Sequence, residues 1–239
     1  MPMNTLKEVM AALQEAGSPL RTRTYAKHGA PPDSMFGVSV ADMKVIAKEI
    51  KGRQELAYEL FETGNGDAQY LAGMVADGAL MTRSLLDTWA RQAAWSMVSE
   101  YTVPWVATES EHAHALALKW MRAKQESVAS SGWNTYAGYV TVTADDDLDL
   151  EEIEGVLVQI EDGIDAAMNR VKYTMNGFVI AVGTYVRPLS YRAKETGRKL
   201  GKVEVEMGGT SCKVPLASKA ILKAKKAGRI GKKRKTIKC

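Results

Sequence analysis

The stretch from Phe36 to Asp77, FGVSVADMKVIAKEIKGRQELAYELFETGNGDAQYLAGMVAD, decides the fold class. Within it Val40, Met43, Ile46 and Ile50 recur at three- and four-residue intervals. That spacing places apolar side chains along one face of an α-helix and cannot alternate across a strand. Ser39 precedes the run and Asp42 follows three residues later, the pattern of a helix start. A polar break and a second, Ala-rich apolar segment come next, so the stretch reads as helix, loop and helix. The same periodicity appears on either side. Leu6, Val9, Met10 and Leu13 follow a Thr5–Glu8 capping box. Val171, Met175, Phe178, Val182 and Tyr185 make the longest regular stripe of the chain. Further starts are expected at Ser84 with Asp87, Thr108 with Glu111, and Asp149 with Glu152. Tyr139 to Thr143 alternates, but it continues a helical pattern from Trp133 and is assigned to helix. Only Lys202 to Met207, KVEVEM, alternates as a strand would.

Many short helices joined by short connections predict an all-α protein of stacked hairpins, HEAT-like helical repeats forming an α-α superhelix. The division expected is a repeat domain over 1–201 and a small basic extension over 202–239 holding the short strand. In that extension Pro215 is expected to open a helix and Gly228 to close it.

Charge is segregated along the chain. Residues 1–185 carry 15 basic and 25 acidic residues, a net of −10; residues 186–239 carry 17 and 3, a net of +14. Ten carboxylates and no Lys or Arg fall between Asp145 and Asp165. The basic end can meet a polyanion, dock on that acidic stretch, or stay solvated. A polyanionic partner makes Lys225, Lys226, Arg229, Lys232, Lys233, Arg234 and Lys235 candidate phosphate contacts. No apolar run approaches the ~20 residues of a membrane helix, and no signal-peptide pattern opens the chain. Cys212 and Cys239 read as reduced thiols. The expected setting is cytoplasmic, the expected state a monomer.

The remaining motifs are weak. Gly208 to Lys213, GGTSCK, lacks the Gly-Lys-Ser/Thr ending of a P-loop and reads as a turn. His28, His112 and His114 have no metal-ligand spacing, and Asp145 to Asp149 lacks the glycine and terminal glutamate of a calcium loop. Neither a metal nor a cofactor is expected.

Phe36 to Asp77, led by Phe36-Gly37-Val38 entering a helix, resembles the N-terminal part of the DNA alkylation repair family, HEAT-like alkylpurine DNA glycosylases and their relatives. The similarity extends to about Gly201. It implies duplex or damaged DNA as the partner. Active members pair a Trp with an Asp four residues later. A carboxylate stabilises the positive charge that develops on the sugar as an alkylated purine leaves. The matching stretch here is Trp95-Ser96-Met97-Val98-Ser99, with Ser99 at the Asp position. A neutral hydroxyl cannot supply that charge. Glu100 is adjacent, about 100° further round an α-helix, and is the candidate replacement. Two family aromatics fall on Trp133 and Phe178, and a backbone-contacting Arg falls on Tyr136. The resemblance therefore implies a DNA-binding protein with weak or no base excision. The alternatives are a glycosylase using Glu100 and a repeat scaffold that grips a protein.

Overall fold

In a computed structural model that describes residues 3–238, every regular element among those residues is helical and none is a strand. Two compact units are present. The first comprises residues up to His112, with Gly208–Thr210 and Lys238; the second comprises Ala113–Met207 and Ser211–Ile237.

The first unit opens with α1 (Leu6–Glu15). The Thr5 side chain accepts from the Glu8 N–H while the Glu8 carboxylate accepts from the Thr5 N–H, the reciprocal cap expected from sequence. After α2 (Pro19–Lys27), α3 (Val40–Glu49) begins where Ser39 accepts from the Asp42 N–H. The unit continues through α4 (Gln54–Glu62), α5 (Gly66–Val75) and α6 (Arg83–Gln92). A single turn of π-helix, Val98–Thr102, leads into α7 (Val103–Thr108). Helix α5 is the centre of the unit: α1, α3, α4 and α7 pack on it, and its residues Gly66 to Gly73 are all buried. Two expected starts are corrected. Thr82, not Ser84, caps α6 by accepting from the Leu85 N–H. Thr108 ends α7 rather than starting a helix.

The second unit is built from α8 (Ala113–Met121), α9 (Glu126–Val142), α10 (Leu150–Gly163), α11 (Asn169–Tyr185), α12 (Ser190–Leu200) and α13 (Ala217–Lys226). Asp149 caps α10 as expected, accepting from the Glu152 N–H. Helix α9 packs on α8 and α11, and α11 on α12 and α13. An ion cluster ties α10 to α12. Glu161 accepts from Arg192 at 2.5 Å, from Thr196 at 2.7 Å and from Lys199 at 2.7 Å. Burial alone would raise the Glu161 pKa, but the bonds from Arg192, Lys199 and Thr196 outweigh it and hold it at about 2. A depressed carboxylate pKa contributes stability above the unfolded value and loses it as pH falls through the folded one. Glu161→Gln should therefore cost about 1–2 kcal/mol at neutral pH, after allowance for solvent screening of the exposed Lys199. The difference from the native chain should close as pH falls below 4.5 towards about 2. Chemical denaturation at several pH values measures it.

The expected strand at Lys202–Met207 is absent. Its alternation is genuine, because Val203 is buried while Lys202, Glu204 and Glu206 are exposed. Among the described residues no segment pairs with it as a strand. Instead the Asn169 side-chain amide donates to the Glu206 carbonyl at 3.0 Å and accepts from the Glu206 N–H at 2.7 Å. One amide thus does locally what a partner strand would do. The last helix starts at Ala217, not at Pro215, whose carbonyl accepts instead from Asn176 at 2.9 Å.

The exit of α13 is as expected. Gly228 has φ +63°, its N–H donates to Lys225 O at 2.9 Å, and the Arg229 N–H donates to Ala224 O at 3.0 Å. These are the two bonds of a glycine-terminated helix end. The chain beyond runs along the C-terminal ends of α9 and α11. Gly231 N–H donates to Thr184 O at 2.9 Å and Arg234 N–H to Thr141 O at 3.0 Å. The Lys233 ammonium donates to Val140 O at 2.8 Å and pairs with Asp145 at 2.8 Å. Carbonyls at helix C-termini lack intrahelical donors and carry partial negative charge; the basic segment supplies both N–H groups and a cation.

Candidate nucleic-acid interface

Trp95, Ser99 and Glu100 belong to the first unit. The chain leading to them is clamped by buried Gln69. Its amide donates to Phe61 O at 3.2 Å and Gln92 O at 2.9 Å, and accepts from the Ala94 N–H at 2.8 Å. Trp95 then starts a new turn, its carbonyl accepting from the Val98 and Ser99 N–H groups. Its half-buried indole lies against Tyr25, with ring centroids 5.5 Å apart.

The turn that follows is π-helical for a local reason. Pro104 has no N–H to give the Glu100 carbonyl, and its ring crowds that carbonyl. The bond from the Val103 N–H instead reaches five residues back, to Val98. This displacement is the kind that could have brought Glu100 into the position left by the missing Asp. It does not bring Glu100 to the surface: Ser99 and Glu100 are each 2% exposed. Ser99 donates to Ser96 O at 3.4 Å.

Trp133, Tyr136 and Phe178 lie in the second unit and are corrected from groove to core. They are 1%, 1% and 0% exposed. Phe178 packs edge-on against Trp133 at 5.8 Å and at a tilt against Tyr136 at 5.0 Å. They occupy the apolar stripes of α9 and α11, where aromatic rings fill space between helices. The Tyr136 hydroxyl donates to Glu152, which His114 Nε2 also meets at 2.7 Å. Burial first, and the Glu152 carboxylate second, push the Tyr136 pKa far above its ordinary value. Tyr136 therefore remains a neutral donor and offers no cation to a phosphate.

The basic candidates divide. Lys233 is committed to Asp145 and Val140, whereas Lys225, Lys226, Arg229, Lys232, Arg234 and Lys235 are exposed. Cys212 is exposed; Cys239 lies outside the described residues.

Sequence reasoning missed a second basic surface. Lys44, Lys48 and Lys51 line a cleft of about 330 Å³ in the first unit, with Met74 and Trp105 at its side. None of the three makes an ion pair among the described residues. Their i, i+4, i+7 spacing was visible in the quoted stretch; Lys44 and Lys48 stand about one turn apart on α3, and Lys51 follows in the turn after the helix. Among the described residues no helix is long and apolar enough to cross a membrane.

Known proteins resemble this chain in sequence and, for one, in structure. The family described as DNA alkylation repair enzyme matches residues 9–189. An uncharacterized protein of Listeria innocua serovar 6a is 30% identical over 228 residues, covering 93% of this chain and 98% of that protein. One from Listeria monocytogenes serovar 1/2a is 28% identical over the same shares. A solved structure superposes with a TM-score of 0.89 at 36% identity, covering 99% of this chain and 100% of its own. It is described as belonging to a new family of proteins related to the HEAT-like repeat DNA glycosylases with affinity for branched DNA structures. The helical-repeat class expected from sequence is the class of this neighbour.

Proposed function

Because this chain belongs to the DNA alkylation repair enzyme family, we propose that it is a DNA-binding protein that favours branched DNA and does not excise bases. The observation that carries this reading is the full-length likeness, at 36% identity, to a protein described by its affinity for branched DNA. Two features of the chain support the absence of excision. Ser99 offers a hydroxyl where the resemblance calls for a carboxylate, and Glu100 beside it is buried. Loss of one preorganised electrostatic group costs on the order of 10²–10³ in rate. Exposed cations on α13, beyond it and on α3 supply phosphate contacts that carry no base preference.

A mobility-shift titration with a three-way junction and a linear duplex of equal length tests the binding half. Tighter binding to the junction is expected; equal binding would remove the preference for branches. Incubation with methylated duplex tests the chemistry, and free 7-methylguanine above the spontaneous rate would restore the glycosylase alternative. Failure to bind any DNA at low salt would favour the protein-scaffold alternative. The basic segment is tested by replacing Arg229, Lys232 and Lys235 with Gln. Each phosphate that the variant no longer neutralises should flatten the plot of log affinity against log salt by about 0.9. An unchanged slope would remove the segment from the interface.

A further inference from the structure

A second cleft lies wholly within the second unit, between the start of α12 and the face of α13. Its volume is about 460 Å³, within the ~300–1,000 Å³ of small-ligand sites. Tyr191, in the first turn of α12, stands at its edge and is 71% exposed. Every other tyrosine or tryptophan singled out in the sequence is half-buried or buried. The Lys194 ammonium lies 5.0 Å from the Tyr191 ring centroid. Arg187 and Lys225 complete the rim, and Ile221 with the 44%-exposed Leu222 form an apolar side. No carboxylate lines the cleft; the nearest acidic partner of Lys194 is its chain neighbour Glu195, at 3.5 Å. Arg187 is held in place because its guanidinium donates to Ile230 O at 3.3 Å.

We infer that this cleft takes an unpaired DNA base, stacked on Tyr191, with its flanking phosphates on Lys194, Lys225 and Arg187. An exposed aromatic ring among cations, beside a small apolar wall, matches the two surfaces of a nucleotide: a flat π-face and an anionic backbone. Stacking on an aromatic side chain is worth about 1–3 kcal/mol per base and tolerates any base. A linear duplex has its base faces already stacked and offers only phosphates. A branch point offers unstacked bases, so the cleft would turn a general attraction for DNA into a preference for branches. The inference rests on the DNA-binding reading above and names the group that such a preference would recognise.

Tyr191→Ala and Tyr191→Phe, compared with the native chain, test it on three probes: a short oligothymidylate, a three-way junction with two unpaired thymines at the branch, and a linear duplex. Tyr191→Ala should weaken binding to the first two about 5- to 150-fold and change duplex binding less than twofold. Tyr191→Phe should bind all three like the native chain. Because the ring is largely exposed, the variants should melt with the native chain, which a thermal scan checks. Tyr191→Ala binding the unpaired probes as tightly as the native chain would overturn the inference. A native chain with no preference for the junction, but with oligothymidylate binding that still depends on Tyr191, would end the branch reading and leave this site standing. No binding to any of the three probes would end both. Binding displaced by acidic peptide but insensitive to unpaired bases would assign the cleft to a protein partner and overturn it as well.

Discussion

Asp67→Ala should cost the fold about 3–5 kcal/mol, the largest single loss expected in the first unit. The Asp67 carboxylate is fully buried and accepts three backbone N–H groups: Phe36 at 2.7 Å, Gly37 at 2.9 Å and Val38 at 3.1 Å. Truncation leaves all three donors unpaired, and each buried orphan costs about 1–3 kcal/mol. The loop they belong to turns at Gly37. Gly37 has φ +77°, and a Cβ there would lie 2.5 Å from Ser18 O. Burial raises the Asp67 pKa and the three N–H bonds only partly offset it. With the folded pKa raised, protonation favours the native state, and the associated stability fades as pH rises through the folded value. The charge of Asp67 is therefore a cost at neutral pH, and its worth lies in holding the loop. Asp67→Asn, which keeps one acceptor but aims an amide N–H at the other donors, should fall between native and Ala. Urea denaturation measures the series; a loss below about 1 kcal/mol for Ala would contradict the anchor.

Lys233→Glu should undock the basic segment at a cost of about 2–4 kcal/mol. The Lys233 side chain is 18% exposed and that of Asp145 24%, so the pair is mostly shielded from water. Reversal places two carboxylates together and removes the cation from the Val140 carbonyl at the end of α9. The two backbone bonds of Gly231 and Arg234 to α11 and α9 would then keep only the Arg187 guanidinium on Ile230 O beside them. Thermal unfolding should shift down, and limited trypsin digestion should cut after Arg229 and Lys232 much faster than in the native chain. Equal cleavage rates would show that the segment does not depend on this pair.

Helix existence was legible because each helix has to bury a stripe, and a stripe leaves a period in the sequence. Thr5, Ser39 and Asp149 were legible for a related reason: a cap is a local bond between residues close in the chain. The KVEVEM segment misled because alternation reports burial on one side, and Val203 is buried; whether a second strand lies alongside is a tertiary matter. Ser84 and Thr108 misled because the Ser/Thr-x-x-acid pattern also occurs inside and at the ends of helices. The site was less legible than the fold. Trp133, Tyr136 and Phe178 have the residue type of a DNA groove, but the stripes they occupy face neighbouring helices. Tyr191 went unnoticed because a single aromatic on a polar helix has no partner in sequence to mark it. The docking of Lys233 on Asp145 spans 88 residues of chain, and charge segregation alone could not choose between that carboxylate and a phosphate. Phe36-Gly37-Val38, which carried the family likeness, is the loop that Asp67 holds; the quoted stretch contains both halves of that tie.

The late position of the basic segment has a consequence for biosynthesis. Domains fold as units while the chain is made, at about 5–20 residues per second, and the ends of α9 and α11 are translated well before the residues that close them. Until Lys233 and Arg234 clear the ribosome, Asp145 lacks its counter-ion and the Val140, Thr141 and Thr184 carbonyls lack these donors. Nascent chains, and chains cut before Lys233, would therefore present loosened ends of α9 and α11 to cellular proteases, and docking of this segment would remove that exposure.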